Sequence, residues 1–247
     1  PDYAKRNMGI EPLPDIDFNI RAGNTLVGFG TKAELDKGLT YTLDGQLMQA
    51  SIEEKCDMVA KAFEHFKAIQ LGEGQDYASF RAAKDTLLER LAALREELDR
   101  YLGKEYGKDE GHSAKQFAAW KESHKPFHWF AEYYGIVEGR GGFDVIIGNP
   151  PWMEYSKAKS DYTAKNYETE ACGNLYGMCT ERTMRIRSRT GSSGFIVQLP
   201  LANSPRMSTV RKLLIKSSSD LHVITMDDRP GKLFEGLQHC RSTIFMS

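Results

Sequence analysis

The sequence predicts an α/β fold, an open and largely parallel sheet into which a helical hairpin is inserted. Three observations carry this. Val145-Ile146-Ile147 is an apolar run without polar alternation, the pattern of a central parallel strand covered on both faces. Gly148 and then Asn149-Pro150-Pro151 follow it. Proline has no N–H for a sheet ladder and fixes its own φ, so these residues form a rigid, extended exit at the strand's carboxyl end. Open α/β sheets bind ligands at that edge. Finally, a helical stretch from Asn174 to about Arg189 leads into an apolar strand from Phe195 to Leu199, which makes a right-handed strand-helix-strand crossover.

The hairpin occupies residues 51–102. Ser51 with Glu54 forms a capping box, after which Ile52, Cys56, Val59, Phe63 and Phe66 recur at helical spacing up to the Gly72-Glu73-Gly74 break. In the second helix Leu87, Leu91, Leu94, Leu98 and Tyr101 alternate at heptad spacing. The charges on the other faces are of both signs, which suits solvent. The expected arrangement is an antiparallel pair whose stripes pack on each other; an arm that docks a protein partner or clamps DNA is the alternative. Residues 103–116 read as a loop, and Phe117, Trp120, Phe127, Trp129, Phe130, Tyr133 and Tyr134 as an aromatic return to the sheet. Gly139-Arg140-Gly141-Gly142 precedes the strand and is a linker. Beyond Trp152 the polar stretch from Glu154 to Gly173 is long enough to be functional or mobile. Ser204-Pro205 caps a helix with Val210, Leu213 and Leu214 on its buried side. Leu221–Met226 and Ser242–Met246 supply two further strands.

At 247 residues, 40% hydrophobic and 27% charged, the chain can bury one sizeable core and a helical appendage. No apolar run approaches the ~20 residues that cross a bilayer, and no signal-peptide pattern is present. The four cysteines, Cys56, Cys172, Cys179 and Cys240, lack paired spacing and adjacent histidines, so a reduced, cytoplasmic chain is expected. A net charge of −1 gives no global basic field. His124 and His128 do not form a metal face, because Pro126 breaks the helix between them. Asp227 and Asp228 read as a strand end. Arg182, Arg185, Arg187 and Arg189 read as the wet face of the crossover helix, with phosphate contact as the alternative.

Asn149-Pro150-Pro151-Trp152, placed directly after an apolar strand, resembles the catalytic motif of S-adenosylmethionine-dependent N6-adenine DNA methyltransferases, of the kind found in fused restriction-modification and phage-defence systems. Three segments in the family's order extend the likeness: Asn19–Leu26 after its third strand, Gly194–Val197 as its fifth, and Lys232–Gly236 followed by Ser242–Met246 as its late aromatic motif. About half of the chain is covered; residues 30 to 125 match nothing specific. The resemblance implies part of a Rossmann-like methyltransferase sheet, with residues 1–30 and 117–247 in the catalytic domain and 31–116 as a helical insertion. It implies an antiparallel last strand.

It also implies roles. The Asn149 amide oxygen and the Pro150 carbonyl would accept hydrogen bonds from the target amine, with Asn149 also beside the cofactor. Pro151 would hold the turn rigid, and Trp152 would stack on a flipped adenine with Phe234 facing it. Asn24 would meet the adenine of S-adenosylmethionine, where the family often has Asp. The partner implied is double-stranded DNA containing an adenine target, with no metal and no membrane, and with residues 154–173 over the target base. A protein partner could use the 51–102 hairpin. Sites of this type also methylate glutamine amides in proteins or guanine amines in RNA, and a non-catalytic interaction module on a methylase-like scaffold is a further alternative. No glycine-rich strand-to-helix turn precedes Asn19. The chain is therefore expected to be a fragment of a longer methylase, inactive alone, with the first two strands and the target-recognition domain outside it.

Overall fold

The computed structural model describes residues 16–39, 43–71, 77–227, 234 and 241–247. Two long helices, Leu43–Leu71 and Tyr77–Glu105, form the hairpin. They run antiparallel: Lys55 pairs with Glu97 at 3.3 Å, and Arg90 reaches back to the Met58 sulfur at 3.5 Å. The predicted stripes meet, with Ile52, Cys56, Val59 and Phe66 buried together with Leu87, Leu91, Leu94 and Leu98. The capping box does not form. The first helix already begins at Leu43, so Ser51 lies in its interior, where its hydroxyl accepts a bond from Lys55 Nζ at 2.8 Å. A side-chain cap requires an extended residue before the first turn, and nothing in Leu43–Ala50 stronger than Gly45 opposes a helix.

The predicted 103–116 loop is shorter than expected, because the second hairpin helix continues to Glu105 and a new helix starts at Ala114, capped by Ser113. Phe117, Trp120 and Phe130 then join the hairpin's core and not the sheet's. Trp129 and Tyr133 reach the sheet, each edge-on to Phe143. The helix containing His124 stops there; Lys125 takes a left-handed φ of 45° and Pro126 follows. His128 is fully buried. Its Nδ1 accepts from the Phe29 amide at 3.3 Å, which leaves Nε2–H to donate to Asp99 at 3.1 Å.

The sheet has four strands in the order β1-β2-β4-β3. β1 (Phe143–Gly148) is parallel to β2 (Arg187–Gln198), and β4 (Ser242–Met246) lies antiparallel between β2 and β3 (His222–Met226). The crossover helix spans Leu175–Ile186 and ends before the predicted Arg189, because Arg187 has already joined β2 opposite Phe143. Gly142, at φ +126°, permits this early pairing; a Cβ there would collide with the backbone of 186–188. Behind the sheet, Tyr176, Met178, Val210 and Leu214 pack with Phe195, Val197 and Phe245 into a second core.

β1 is not the doubly covered central strand that its apolar run predicts. Among the described residues it is an edge, with Val145 62% and Ile147 80% exposed. By register, Val145, Ile147, Ile196, Ile244, Met246 and Ile224 share one face of the sheet. Met246 and Ile224 are also about half exposed, so this face is an open apolar surface.

A buried arginine joins the two cores. Arg182, 4% exposed, donates from Nε to the Tyr167 hydroxyl at 3.0 Å, from Nη1 to Glu34 at 2.9 Å and from Nη2 to the Gly28 carbonyl at 2.8 Å. Tyr167 in turn donates to the Leu26 carbonyl at 3.0 Å, and Arg185 reaches the other Glu34 oxygen at 3.2 Å. Arg187 bonds Ser247 and Ser193. These three arginines are therefore neither a wet face nor a phosphate contact; they are tied to the protein's own carbonyls and carboxylates, and only Arg189 is exposed.

Two outcomes are expected. Burial pushes the Glu34 carboxyl up, but Arg182, the Gly30 amide and Arg185 outweigh it and hold the group below its ordinary value of 4.5. Glu34→Ala should cost about 3 kcal/mol in urea melts by leaving Arg182 uncompensated. The wild-type advantage over Glu34→Gln should be full above pH 4.5 and fade as pH falls through the depressed folded value. Separately, the purified 247-residue chain should self-associate through the open face. Ile147→Lys should lower the apparent mass in sedimentation, and a monomeric wild-type chain would refute this.

Candidate active site at the end of the first strand

β1 ends where its ladder runs out. Gly148 is still paired with Phe195, but Pro150 and Pro151 have no N–H to extend the pairing. The indole of Trp152 takes over, donating from Nε1 to the Ile196 carbonyl on β2 at 3.2 Å. The turn is then fastened to the crossover helix. Met153 accepts from the Leu175 amide and Tyr155 donates to the Gly173 carbonyl, both at 3.0 Å, with Glu154 bridging Asn174. Asn174 caps the helix through Tyr176 N and reaches Gln198 at the end of β2 at 3.4 Å. This clamp was not anticipated, although Asn before an apolar helical run is a capping signal.

Held this way, Asn149 is exposed, Pro150 buried, Pro151 exposed and Trp152 half-buried. Asn149 and Trp152 thus emerge at the carboxyl ends of the parallel pair β1 and β2. Phe234, which is the only described residue between Asp228 and Cys240, stands edge-on to Trp152 with ring centroids 6.1 Å apart and planes at 71°. Asp228, Lys232, Glu235 and Cys240 lie outside the described residues. Asn149 and Trp152 carry no titratable group; they offer a neutral acceptor and an aromatic face.

Asn24 sits elsewhere. Its amide nitrogen donates to Lys125 O at 2.8 Å, and it forms a bridge with Pro126. Its Oδ1 accepts from Leu26 N at 3.1 Å, and Tyr162 also hydrogen-bonds its side chain. This is an Asx-type turn. No described hydrogen bond or ring contact joins Asn24 to residues 149–152. A carbonyl oxygen has a second lone pair, so a cofactor amine could still be accepted there. The fit is firmer at Asn149, whose amide is exposed at the strand end.

The stretch from Glu154 to Gly173 is not a loose cover. Tyr155, Ala158, Ala164, Tyr167 and Cys172 are buried in the second core. Tyr155 and the Ala164 backbone bond each other in both directions, at 2.7 and 3.2 Å. Its lysines and glutamates hid this from the sequence, because the buried positions follow no regular period.

A four-stranded α/β sheet covered on one face, with Asn-Pro-Pro-aromatic at a strand's carboxyl end, is consistent with part of a methyltransferase-like fold. The Eco57I restriction-modification methylase family matches residues 45–232, well over half of the chain. The chain belongs to that family. It is also 24% identical, over 86% of its length, to a protein of Methanocaldococcus jannaschii that carries the name of a type II restriction enzyme and methyltransferase. It spans 21% of that relative's length. Methyltransferases of this family generally use S-adenosylmethionine.

The placement predicts a split between neighbours. Trp152→Ala should destabilise the chain by about 2 kcal/mol, through lost packing and an unpaired Ile196 carbonyl. Asn149→Ala, at an exposed position, should stay within about 0.5 kcal/mol of wild type. Equal effects in denaturant melts would contradict this geometry.

Proposed function

We propose that the chain carries the target-base side of a restriction-modification DNA methyltransferase, which moves a methyl group from S-adenosylmethionine to the N6 amine of a flipped adenine. The observation that carries this is an exposed Asn149 amide beside the Trp152 and Phe234 ring pair, at the ligand-binding end of a parallel strand pair. When bound, the cofactor supplies an electrophilic methyl on a sulfonium. The exocyclic amine of adenine is a weak nucleophile because its lone pair is delocalised into the ring. Positioning is therefore most of the work.

Asn149 Oδ1 and the Pro150 carbonyl would accept the two N–H groups, turning the lone pair toward the methyl. Both acceptors gain strength as nitrogen becomes positive, so they favour the transition state over the ground state. A neutral amide achieves this without a pKa of its own. An exocyclic amine inside a duplex is out of reach, so the base must leave the stack. Trp152 would provide its new platform, with Phe234 at the edge; such stacking contributes roughly 1–3 kcal/mol per base. Because the indole N–H is anchored on β2, that platform would be rigid before the base arrives. Asn24 would contact the cofactor's adenine through its remaining acceptor capacity.

The decisive test uses the natural polypeptide that contains this chain. Asn149→Ala should lower methyl transfer to DNA at least about 100-fold while DNA binding persists, and the wild-type product should be N6-methyladenine by mass spectrometry. Near-normal turnover in Asn149→Ala would overturn the site. A methylated amide in protein, or a methylated guanine in RNA, would overturn the substrate.

A further inference from the structure

A cavity of about 860 Å³ opens between the 26–37 segment, the end of the second hairpin helix, the crossover helix and the Ser208–Ser217 helix. None of residues 149–152 lines it. Its volume lies within the usual range of small-molecule sites, about 300–1,000 Å³. Leu26, Phe29, Met184 and Leu213 give it an apolar floor, while Lys37, Lys165, Lys212 and Lys216 stand at its rim as exposed side chains.

The charge balance favours an anion. Six cationic side chains and four carboxylates line the cavity. Glu34 and Glu181 are taken by Arg182 and Arg185. Burial pushes the Glu105 carboxyl up, while the Lys165 ammonium pulls it down. Lys165 is already oriented, donating to the Glu105 backbone carbonyl at 2.7 Å with its ammonium 4.4 Å from the Tyr106 ring centre. Glu105 and Glu168 remain as opposing charges. Among the described residues no carboxylate pairs with Lys37, Lys212 or Lys216.

Lys37 and Lys216 lie in the last turns of their helices, where the dipole favours a cation. Lys212 has no such support. It stands one turn before Lys216 on the same face, where like charges repel. A fold that tolerates this repulsion around an apolar-floored cavity is suited to a multiply charged guest.

We propose that this cleft binds a phosphate-bearing ligand of nucleotide size, its phosphates held by Lys37, Lys212 and Lys216 and its apolar part resting on Leu26 and Met184. The phosphate comes either from a free nucleotide or from a DNA strand. Its lysines take no part in the reading of methyl transfer, and residues 149–152 lie outside its lining.

The test is calorimetric titration of the natural polypeptide containing this chain with ATP and, separately, with a short single-stranded DNA oligonucleotide. Each lysine-to-glutamine change should weaken binding by about tenfold, so the Lys212→Gln, Lys216→Gln double variant should lose about 100-fold. Lys37→Gln should follow at about tenfold. All these positions are exposed, and unchanged thermal melts would confirm that the variants fold. Asn149→Ala should bind like wild type. Lysine-dependent binding of ATP identifies a nucleotide site; lysine-dependent binding of the oligonucleotide alone assigns the phosphate to DNA. Failure of both ligands to bind, or binding indifferent to these lysines, overturns the proposal.

Discussion

The architecture depends on one guanidinium. Arg182 is almost fully buried, and each of its three nitrogens meets a different segment: Tyr167, Glu34 and the Gly28 carbonyl. An uncompensated buried charge is costly, and its cost falls only if every partner is in place at once. The requirement ties the 26–34 segment, the 154–173 stretch and the crossover helix into one arrangement. Because the hairpin core includes Val27 and Phe29 while the sheet core includes Leu26 and Tyr167, the same contact sets how the two cores meet.

From that joint, order passes to the candidate site through backbone bonds. The crossover helix begins at Leu175, whose amide holds Met153, and Gly173 holds Tyr155. The residues around Trp152 are thus fixed from the helix side, and the indole fixes them from the sheet side. Two prolines contribute by what they lack. With no N–H to continue the ladder, β1 must stop, and Asn149 is left at its open end. A neutral acceptor at that position would suit the proposed methylation of an amine, where positioning is most of the work.

The bare face of the sheet departs from the usual architecture. A parallel pair covered on only one side is unusual, because α/β sheets normally bury both faces. Here Val145, Ile147, Met246 and Ile224 remain substantially exposed. The similar protein of Methanocaldococcus jannaschii is several times longer than the region matched.

The readable parts of the sequence were those in which one local rule decided the outcome. A heptad stripe specifies which faces of Ile52–Phe66 and Leu87–Tyr101 meet, because period alone determines a helix face. Pro150-Pro151 after an apolar run specifies a strand end, because proline chemistry is local. The family resemblance lay in the same short motif. Misreadings arose where a local rule competed with a distant partner. Ser51 is a capping residue by type, but it lies inside a longer helix. The arginines of the crossover helix look solvated until Glu34, 148 positions away from Arg182 in sequence, is brought to them. Val145–Ile147 looks central, yet strand order is a property of pairing and not of composition. By itself the sequence determined where β1 stops and how the hairpin pairs, since both follow from neighbouring residues. Only the tertiary structure decided which charges are buried, which face of the sheet is bare and which residues flank Trp152, because each depends on long-range contacts whose energies no local pattern encodes.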